Sequence, residues 1–458
     1  LVASDEEKRR TVAWSMRNLA TIEQEHYEKD DTEVVDRYRK ALAIYDNDDN
    51  YLTDDALYTK ALRTKDEGDD WLRQSIVSHG DKGYTAQNIT VQEAIRLIKD
   101  SGHPGYSDNK GFVNVLNIAT HLLKGKVQLQ LDTTRLNAGT LQGGEWNDMF
   151  GSCFSEGCND KSAHKKTATT IALSYDNEKL HVDLGTAPKI SGNKTKTNAL
   201  VGGVRTYFDW GTWSFTPSIY HRAIDNSLLA YFGDKDPRTG IAWGAVKKTG
   251  ISLSVSDYIN ERSGIWMNSA FETLHGTNVA SNTKFSFMGG YYYHFIYKPN
   301  ERLTFGPSMM FMHYGKDLSG YTFSQGGYYS PQMYLSTSLS LAYMRRFNNT
   351  SIYAQISGSL SHSKTKGIDR YPYKSKIMGI SDIDSKSDSD SSTTFGGGIE
   401  AAIEQRLGSH LVVGTSISAI KSDDYSPLTG MLYFRYYYDA YNGDLYMPPQ
   451  GPTPYVAW

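Results

Sequence analysis

The segment "GSCFSEGCNDK" holds the chain's two cysteines, Cys153 and Cys158. A lone pair cannot complete a tetrahedral metal centre without histidine or carboxylate help. In a hydrophilic loop, this spacing points instead to a disulfide, and so to an oxidising compartment. His221, His294 and His313 fall within strand-like runs, but no G-x-S-x-G or similar nucleophile motif accompanies them. They read as girdle or loop histidines, and no catalytic constellation, metal site or cofactor is expected. The acidic run "SDIDSKSDSDSS" at 381–392 could attract divalent cations, yet its composition is that of a solvated external loop. The abundant chemistry is of another kind. With 33 Tyr, 16 Phe and 8 Trp, the chain is rich in groups that stack and form hydrogen bonds rather than break bonds.

Those rings need a scaffold, and composition narrows the choice. A formal charge of −3 gives no reason to expect nucleic acid. A mean hydropathy of −0.52 is too polar for a helical membrane protein, and no segment approaches the ~20 apolar residues of a spanning helix. A polar average with excess aromatics and 41 Gly fits a closed barrel, whose strands alternate lipid-facing and lumen-facing residues and cancel in any hydropathy average. The opening "LVASDEEKRR" has no initiator Met and reads as a mature or truncated fragment, so the missing targeting signal says nothing of location.

Two periodicities divide the chain. Residues 1–102 read as a helical segment. In "DTEVVDRYRKALAIYD" the apolar residues Val34, Val35, Tyr38, Ala41, Leu42 and Tyr45 share one face of a 3.6-residue period. Ala56, Leu57, Ala61 and Leu62 repeat the theme, then Trp71, Leu72 and Ile76. "NITVQEAIRLIKDSGHPG" predicts a further helix, with a Thr90/Glu93 capping box, a Val91, Ala94, Ile95 and Ile98 stripe and a Gly102 C-cap. Short helix pairs of this size suggest the end of a tetratricopeptide-like array with more repeats upstream.

Beyond "SGHPGYSD" the period becomes two, as in "KVQLQLDTT", "ISLSVSD" and "SIYAQISGSL". Tight turns alternate with long polar loops, the habit of an outer-membrane barrel with short periplasmic turns and long outside loops. Phe208, Trp210, Trp213 and Phe215 lie near strand ends, as an aromatic girdle requires. Fifteen strand segments are clear and closure needs an even number, so a sixteen-stranded antiparallel barrel over 103–443 is expected, its missing strand near 104–122. The fold class is mainly β, behind a small helical segment in the periplasm.

If Ile, Leu and Val face lipid, the opposite parity faces the lumen. That side collects Arg205, Tyr207, Tyr220, Trp266, Asn268, Glu272, Tyr292, Tyr314, Tyr353, Gln355, Tyr433, Arg435, Tyr437 and Asp439. Aromatics and hydroxyls dominate over rows of opposed charge, a lining suited to a neutral polysaccharide. "DLSGYTFSQGGYYSPQ" (317–332) reads as a gate. Its glycines permit positive φ and Pro331 stiffens its return, with Tyr321, Phe323, Tyr328 and Tyr329 in the mouth. The alternative is an ordinary external hairpin. The end, "DLYMPPQGPTPYVAW", carries four prolines and no charge after Asp444. At ~3.1 Å per residue it can exceed the ~30 Å hydrocarbon core, so residues 444–458 are expected to turn back into the lumen with Tyr455 and Trp458 deep inside. A periplasmic recruitment peptide is the other reading.

"DSGHPGYSD", "YGKDLSGYTFSQGGYYSPQMYLS", "HSKTKGIDRYPY" and "MPPQGPTPYVAW" resemble the C-terminal region of the cellulose synthase operon protein C family, from about residue 50 to the end. The helical segment matches only loosely, and the loops at 138–165 and 374–394 are not diagnostic. The resemblance implies a tetratricopeptide array crossing the periplasm and feeding an outer-membrane channel. That channel would export cellulose, a β-1,4-glucan made by an inner-membrane synthase, by facilitated diffusion. Implied partners are the polymer, outer-membrane lipid and lipopolysaccharide, and, through the array, the synthase complex and periplasmic components. Two other functions stay open: export of a different exopolysaccharide, such as poly-N-acetylglucosamine or alginate, or a polysaccharide-binding outer-membrane enzyme or adhesin. Alginate would want a more basic lining.

Overall fold

The computed structural model describes residues 4–26, 31–153, 158, 161–190, 199–373, 386–422 and 426–458. Four helices come first: α1 (Asp5–His26), α2 (Asp31–Asp46), α3 (Asp55–Ala61) and α4 (Trp71–Gln87). The 3.6-residue spacing in α2 buries Tyr38, Ala41 and Leu42, and Tyr58, Leu62 and Ile76 complete the same core. Asp54 and Asp70 start α3 and α4 by accepting the Leu57 and Arg73 N–H groups at 3.0 and 2.9 Å, one of the orphan donors each helix start leaves. Trp71, expected on the buried stripe, is 62% exposed. As the first residue of α4 it points about 100° away from the face of Leu72 and Ile76, and the Arg17 guanidinium covers its ring at 5.4 Å.

The predicted helix over 88–102 is a strand. β1 (Thr90–Asp100) pairs on one side with β2 (Asn109–Leu122), from Thr90↔Ala119 to Asp100↔Asn109. On its other side it pairs with the last strand, from Thr90↔Tyr437 to Lys99↔Leu428. Its apolar residues satisfy both periods. As a strand it turns Ile95 and Leu97 outward and Ala94 inward, and the barrel cannot close without it. The helical unit therefore ends at Gln87 rather than 102, and the strand missing from the sequence count is this one rather than a segment at 104–122.

The wall continues through β3 (Gly125–Thr140), β4 (Ala163–Asp176), β5 (Leu180–Ala187) and β6, which is interrupted at Tyr207 (Ala199–Thr206, then Phe208–Trp210). Then come β7 (Trp213–Ala223), β8 (Ala242–Asn260), β9 (Ser263–Thr277), β10 (Asn282–Lys298) and β11 (Glu301–Tyr314). β12 (Met333–Phe347), β13 (Thr350–Thr365), β14 (Asp390–Arg406), β15 (Leu411–Lys421) and β16 (Leu428–Tyr437) complete sixteen antiparallel strands. Ile251, Ile356, Ile399 and Leu432 project from the outer face, each more than half exposed. Phe208 and Trp210 are exposed at the foot of β6, and Phe208 stacks on Phe215 at 5.2 Å.

Because α4 leads directly into β1, the tight turns at 123–124, 177–179, 211–212, 261–262, 299–300 and 348–349 all lie at the helical end. The connections that include 101–108, 224–241 and 315–332 lie at the opposite, loop end. Alternation of turn length is what fixes every second strand in this direction.

Candidate functional site

The inner wall is polar, and its buried charges are answered within it. Asp183 on β5 accepts both Arg222 nitrogens, at 2.5 and 2.6 Å. Glu404 on β14 pairs with Arg435 on β16 at 3.0 Å and accepts the Tyr433 hydroxyl at 2.6 Å, with neither charged side chain exposed. Glu272 accepts the Tyr220 hydroxyl at 2.6 Å and lies within 3.5 Å of Lys248 and 3.3 Å of Lys284. Between these pairs run hydroxyls and amides: Asn268 bonds Ser254, Ser218 meets Ser252, and Tyr353 donates to Gln355.

The C-terminal segment enters this space from the helical end. Its root is clamped between helices and barrel turns. Tyr441 donates to Asp81 of α4 at 2.8 Å, the Asn442 N–H donates to Thr59, and Thr64 donates to Asp444. Arg346 holds the Leu445 carbonyl, and Ser351 donates to that of Tyr446. Higher up, Arg435 donates to the Gln450 carbonyl at 2.7 Å and Gln130 to that of Thr453 at 2.9 Å. The tip is fixed most firmly. The Tyr455 N–H donates to Asp132 and its hydroxyl to Asp183 at 2.8 Å, while the Arg222 guanidinium sits 5.2 Å from its ring centre. Gly185 on β5 makes the fit possible, since a β-carbon there would overlap the Tyr455 ring. Trp458 packs edge-on to Tyr455 at 4.9 Å.

Two cavities flank the tail. One of about 480 Å³ is lined by Arg205, Tyr207, Tyr220, Lys248, Asn268 and Trp458 among others. A smaller one, about 230 Å³, lies between the tail and β1–β3, and Trp458 borders it too.

At the loop end the mouth is filled by a packed aromatic plug. The segment at 315–332 folds inward, with Phe323 and Tyr328 buried. Its Tyr321–Thr322 pairs in parallel with Phe150–Gly151. Tyr321 packs on Tyr106 at 5.3 Å, Phe323 on Trp243 at 5.7 Å, and Trp243 on Phe150 at 5.3 Å. Gly327 takes a φ of +66°, and its N–H bonds the Leu318 and Gly320 carbonyls to close the turn. Asp236 binds Ser152 and Thr239, clasping the neighbouring loops together. Cys153 and Cys158 are joined by a disulfide beside this plug.

The residues singled out in the sequence thus fall into three groups. Tyr207, Tyr220, Trp266, Tyr292, Tyr353 and Gln355 are half-buried on inward-facing positions. Tyr433, Arg435 and Tyr437 are inward but buried, Tyr437 against Tyr441 at 5.0 Å, so they support the tail and offer no open face. Tyr314 is buried under the plug against Tyr328. Asp439 is not a lining residue: β16 ends at Tyr437, and Asp439 lies exposed at the rim, its main chain held by Asn88. Within the segment at 315–332 Tyr329 is the exception, 45% exposed and edge-on to the inward Tyr334. Of the acidic run at 381–392, residues 381–385 lie outside the described residues, 386–391 are exposed, and Asp390–Ser392 begin β14.

Residues 109–439 match the family described as Cellulose synthase operon protein C C-terminus. Cellulose synthase operon protein C of Escherichia coli (strain K12) is 34% identical over 441 residues, 94% of this chain and 37% of the relative. The chain belongs to this family. The Salmonella typhimurium protein of the same name is 34% identical over 88% of the chain, and that of Pseudomonas fluorescens 26% over 80%. The chain spans about a third of the length of these relatives. Among solved structures, a bacterial polysaccharide outer membrane secretin aligns with a TM-score of 0.46 at 11% identity, covering 77% of this chain and 98% of that one.

For a member of the cellulose synthase operon protein C family, the inner-wall residues hidden from sequence reading are the partners. Asp183 and Arg222, and Glu404 and Arg435, lie on separate strands, Gln130 and Asp132 on one, and only the folded wall shows which of them meet each other and the tail. Tyr106, Phe150 and Trp243 were likewise invisible as plug members, because the first two come from different loops and the third from the start of β8.

Proposed function

We propose that the chain is the outer-membrane channel through which a β-1,4-glucan leaves the cell, with the helical unit in the periplasm and the plug at the outer mouth. The barrel exports passively, and extension of the polymer by the synthase supplies the drive. The observation that carries this is the lumen's charge balance. Each of the carboxylates of Asp183, Glu272 and Glu404 is neutralised by an Arg or Lys on the wall, which leaves ring faces, hydroxyls and amides to meet a passing chain. Such a surface binds neutral sugars weakly at many points, and the cations it carries are mostly set against carboxylates rather than ranked to hold a uronate polymer. Membership of the cellulose synthase operon protein C family supports cellulose as that polymer. The helices then receive the polymer from the synthase complex and periplasmic components, and lipopolysaccharide and phospholipid surround the belt.

The test is flux in proteoliposomes carrying the chain with residues 321–329 deleted. Fluorescent cello-oligosaccharides should escape, while uronate oligomers of equal length should be retained at least tenfold better. Equal escape of both would make the pore non-selective and end this reading. Replacing Trp266, Tyr353 and Tyr292 together by Ala should slow the glucan without stopping it.

A further inference from the structure

The cavity between the tail and β1–β3 is lined by carboxamides rather than by charges. Five of its ten lining residues are carboxamides, Gln92, Asn117, Gln128, Gln130 and Gln450, and none of its lining side chains is ionised. The 480 Å³ cavity across the tail, in contrast, is bordered by Arg205, Arg222 and Lys248. A carboxamide both donates and accepts, which matches a hydroxyl that does the same and offers nothing to a charge.

The amides are held in place. Asn117 is 3% exposed and Gln130 1%. The Asn117 amide nitrogen donates to Gln128 at 3.3 Å and to Gln130 at 3.0 Å. Gln130 in turn donates to Asp132 at 3.0 Å and to the Thr453 carbonyl at 2.9 Å. One acceptor is left over: Asn117 Oδ1 is buried and has no hydrogen-bond partner among the described residues. A buried carbonyl oxygen without a donor carries a desolvation cost that a ligand hydroxyl would relieve. Rings bound the space: Trp458 on one side, its indole N–H directed to Thr453, and Tyr446, whose other neighbour is the Arg435 guanidinium at 3.8 Å.

We propose that this cavity is a binding subsite for one uncharged pyranosyl unit, with Asn117, Gln128 and Gln450 bonding its hydroxyls and Tyr446 and Trp458 flanking the ring. At about 230 Å³ it falls below the ~300 Å³ at which drug-sized pockets begin, so it takes a single ring rather than a run. Four of its lining residues, Gln92, Asn117, Gln128 and Gln130, come from the helical-end halves of β1, β2 and β3, so it lies on the side from which a chain would enter at that end. The tail supplies half of it, so the subsite exists only with the tail in place. This inference rests on the reading of the lumen as a path for a neutral glucan.

The experiment measures cellotriose binding to the purified full chain in detergent by calorimetry, beside the same trimer carboxylated at C6. Cellotriose should bind, the carboxylated trimer at least tenfold more weakly. Asn117→Leu and Gln450→Leu should each weaken cellotriose binding about fivefold or more. Gln450 is exposed in the lumen and its side chain holds no other group, so Gln450→Leu remains informative even if Asn117→Leu fails to insert. No cellotriose binding by the unaltered chain, binding by Gln450→Leu as tight as by the unaltered chain, or equal binding of both trimers would overturn the subsite. Glucan flux through the plug-deleted barrel separates the two claims. Flux that persists without binding removes the subsite alone, and absence of flux removes the channel reading as well.

Discussion

The Tyr455 hydroxyl donates to Asp183 at 2.8 Å across 272 positions of sequence, and the same carboxylate holds Arg222. A neutral hydroxyl thus completes a wall ion pair that would otherwise keep an open acceptor. A hydrogen bond to a charged group contributes ~1.5–3 kcal/mol. Tyr455→Phe should therefore raise the undocked fraction of the tail about 10- to 150-fold. Gly185→Val should do more, since its side chain needs the volume of the ring. The readout is the labelling rate of a cysteine at 458 by a bulky thiol reagent in the folded barrel. Labelling of Gly185→Val at the rate of the unaltered tail would mean that the tail is not anchored there.

Glu404 and Arg435 present the opposite economy. Both side chains are fully buried, and Arg435 also carries the Gln450 carbonyl. Removing one partner of a buried pair leaves an uncompensated charge at a cost of ~3–5 kcal/mol. Glu404→Gln should lower the temperature at which the barrel unfolds in heat-modifiability gels. The double change Glu404→Gln with Arg435→Met should recover part of that loss. A double variant no better than the single would show that the amide cannot stand in for the charge.

How much of this was readable in advance depends on what each element had to agree with. The period-two strands needed only local alternation, so their parity and the barrel class were legible. For the tail, four prolines and the absence of charge argue against both a ladder and a solvated coil, and leave its partners on the wall unnamed. β1 was not legible. Val91, Ala94, Ile95 and Ile98 satisfy a helix as well as a strand, and pairing with β2 and β16 decides between them. Among the residues expected to line the lumen, Tyr433 and Tyr437 are covered by a tail whose path no periodicity encodes. The partner carboxylates Asp183 and Glu404 look like ordinary polar strand residues until the folded wall brings Arg222 and Arg435, each two strands away, within reach.

Asp81 places a pH dependence at the joint between helices and barrel. Burial pushes its carboxyl up to about 6, against the Tyr441 hydroxyl and Arg346, which favour the anion, and with Asp444, which opposes it. In the undocked state it titrates near the usual ~3.9. Below that value the proton is bound in both states and no penalty exists. As pH rises, the undocked carboxyl gives up its proton near 4 while the docked one keeps it until about 6, so between these values docking needs a proton taken up, and by the upper end it is weaker by roughly 3 kcal/mol. Hydrogen-exchange protection of α4 and residues 438–446 should thus be greater at pH 5 than at pH 7.5. Asp81→Asn should raise protection at pH 7.5 and flatten the dependence. Equal protection of the unaltered protein at both values contradicts the assignment.

The Cys153–Cys158 disulfide spans five positions, a loop too short to restrain much of the unfolded chain. Replacing both cysteines by Ser should leave barrel assembly and glucan flux nearly unchanged. Mass spectrometry of protein isolated from membranes without reductant should find no free thiol. Two free thiols there would refute the bond.

The plug carries the sharpest prediction, because its closure depends on a few rings. Phe323 is fully buried against Trp243 at the start of β8, which in turn packs on Phe150, so two loops and a wall strand meet through one contact chain. Truncating a buried Phe to Ala costs ~3–5 kcal/mol, but the wall strands beneath are tied by their own ladders and do not share that loss. Phe323→Ala should therefore open the mouth without unfolding the barrel, giving frequent conductance steps in planar bilayers where the unaltered chain is mostly silent. Deleting 321–329 should give a steadily open state. Asn282 offers a check on mechanism: it donates to Tyr328 and to the Lys316 carbonyl from the wall. Asn282→Ala should release the segment's return arm and give conductance between those two. If Phe323→Ala and the deletion both stay silent while heat-modifiability persists, the barrel is sealed elsewhere, and the segment at 315–332 is not its gate.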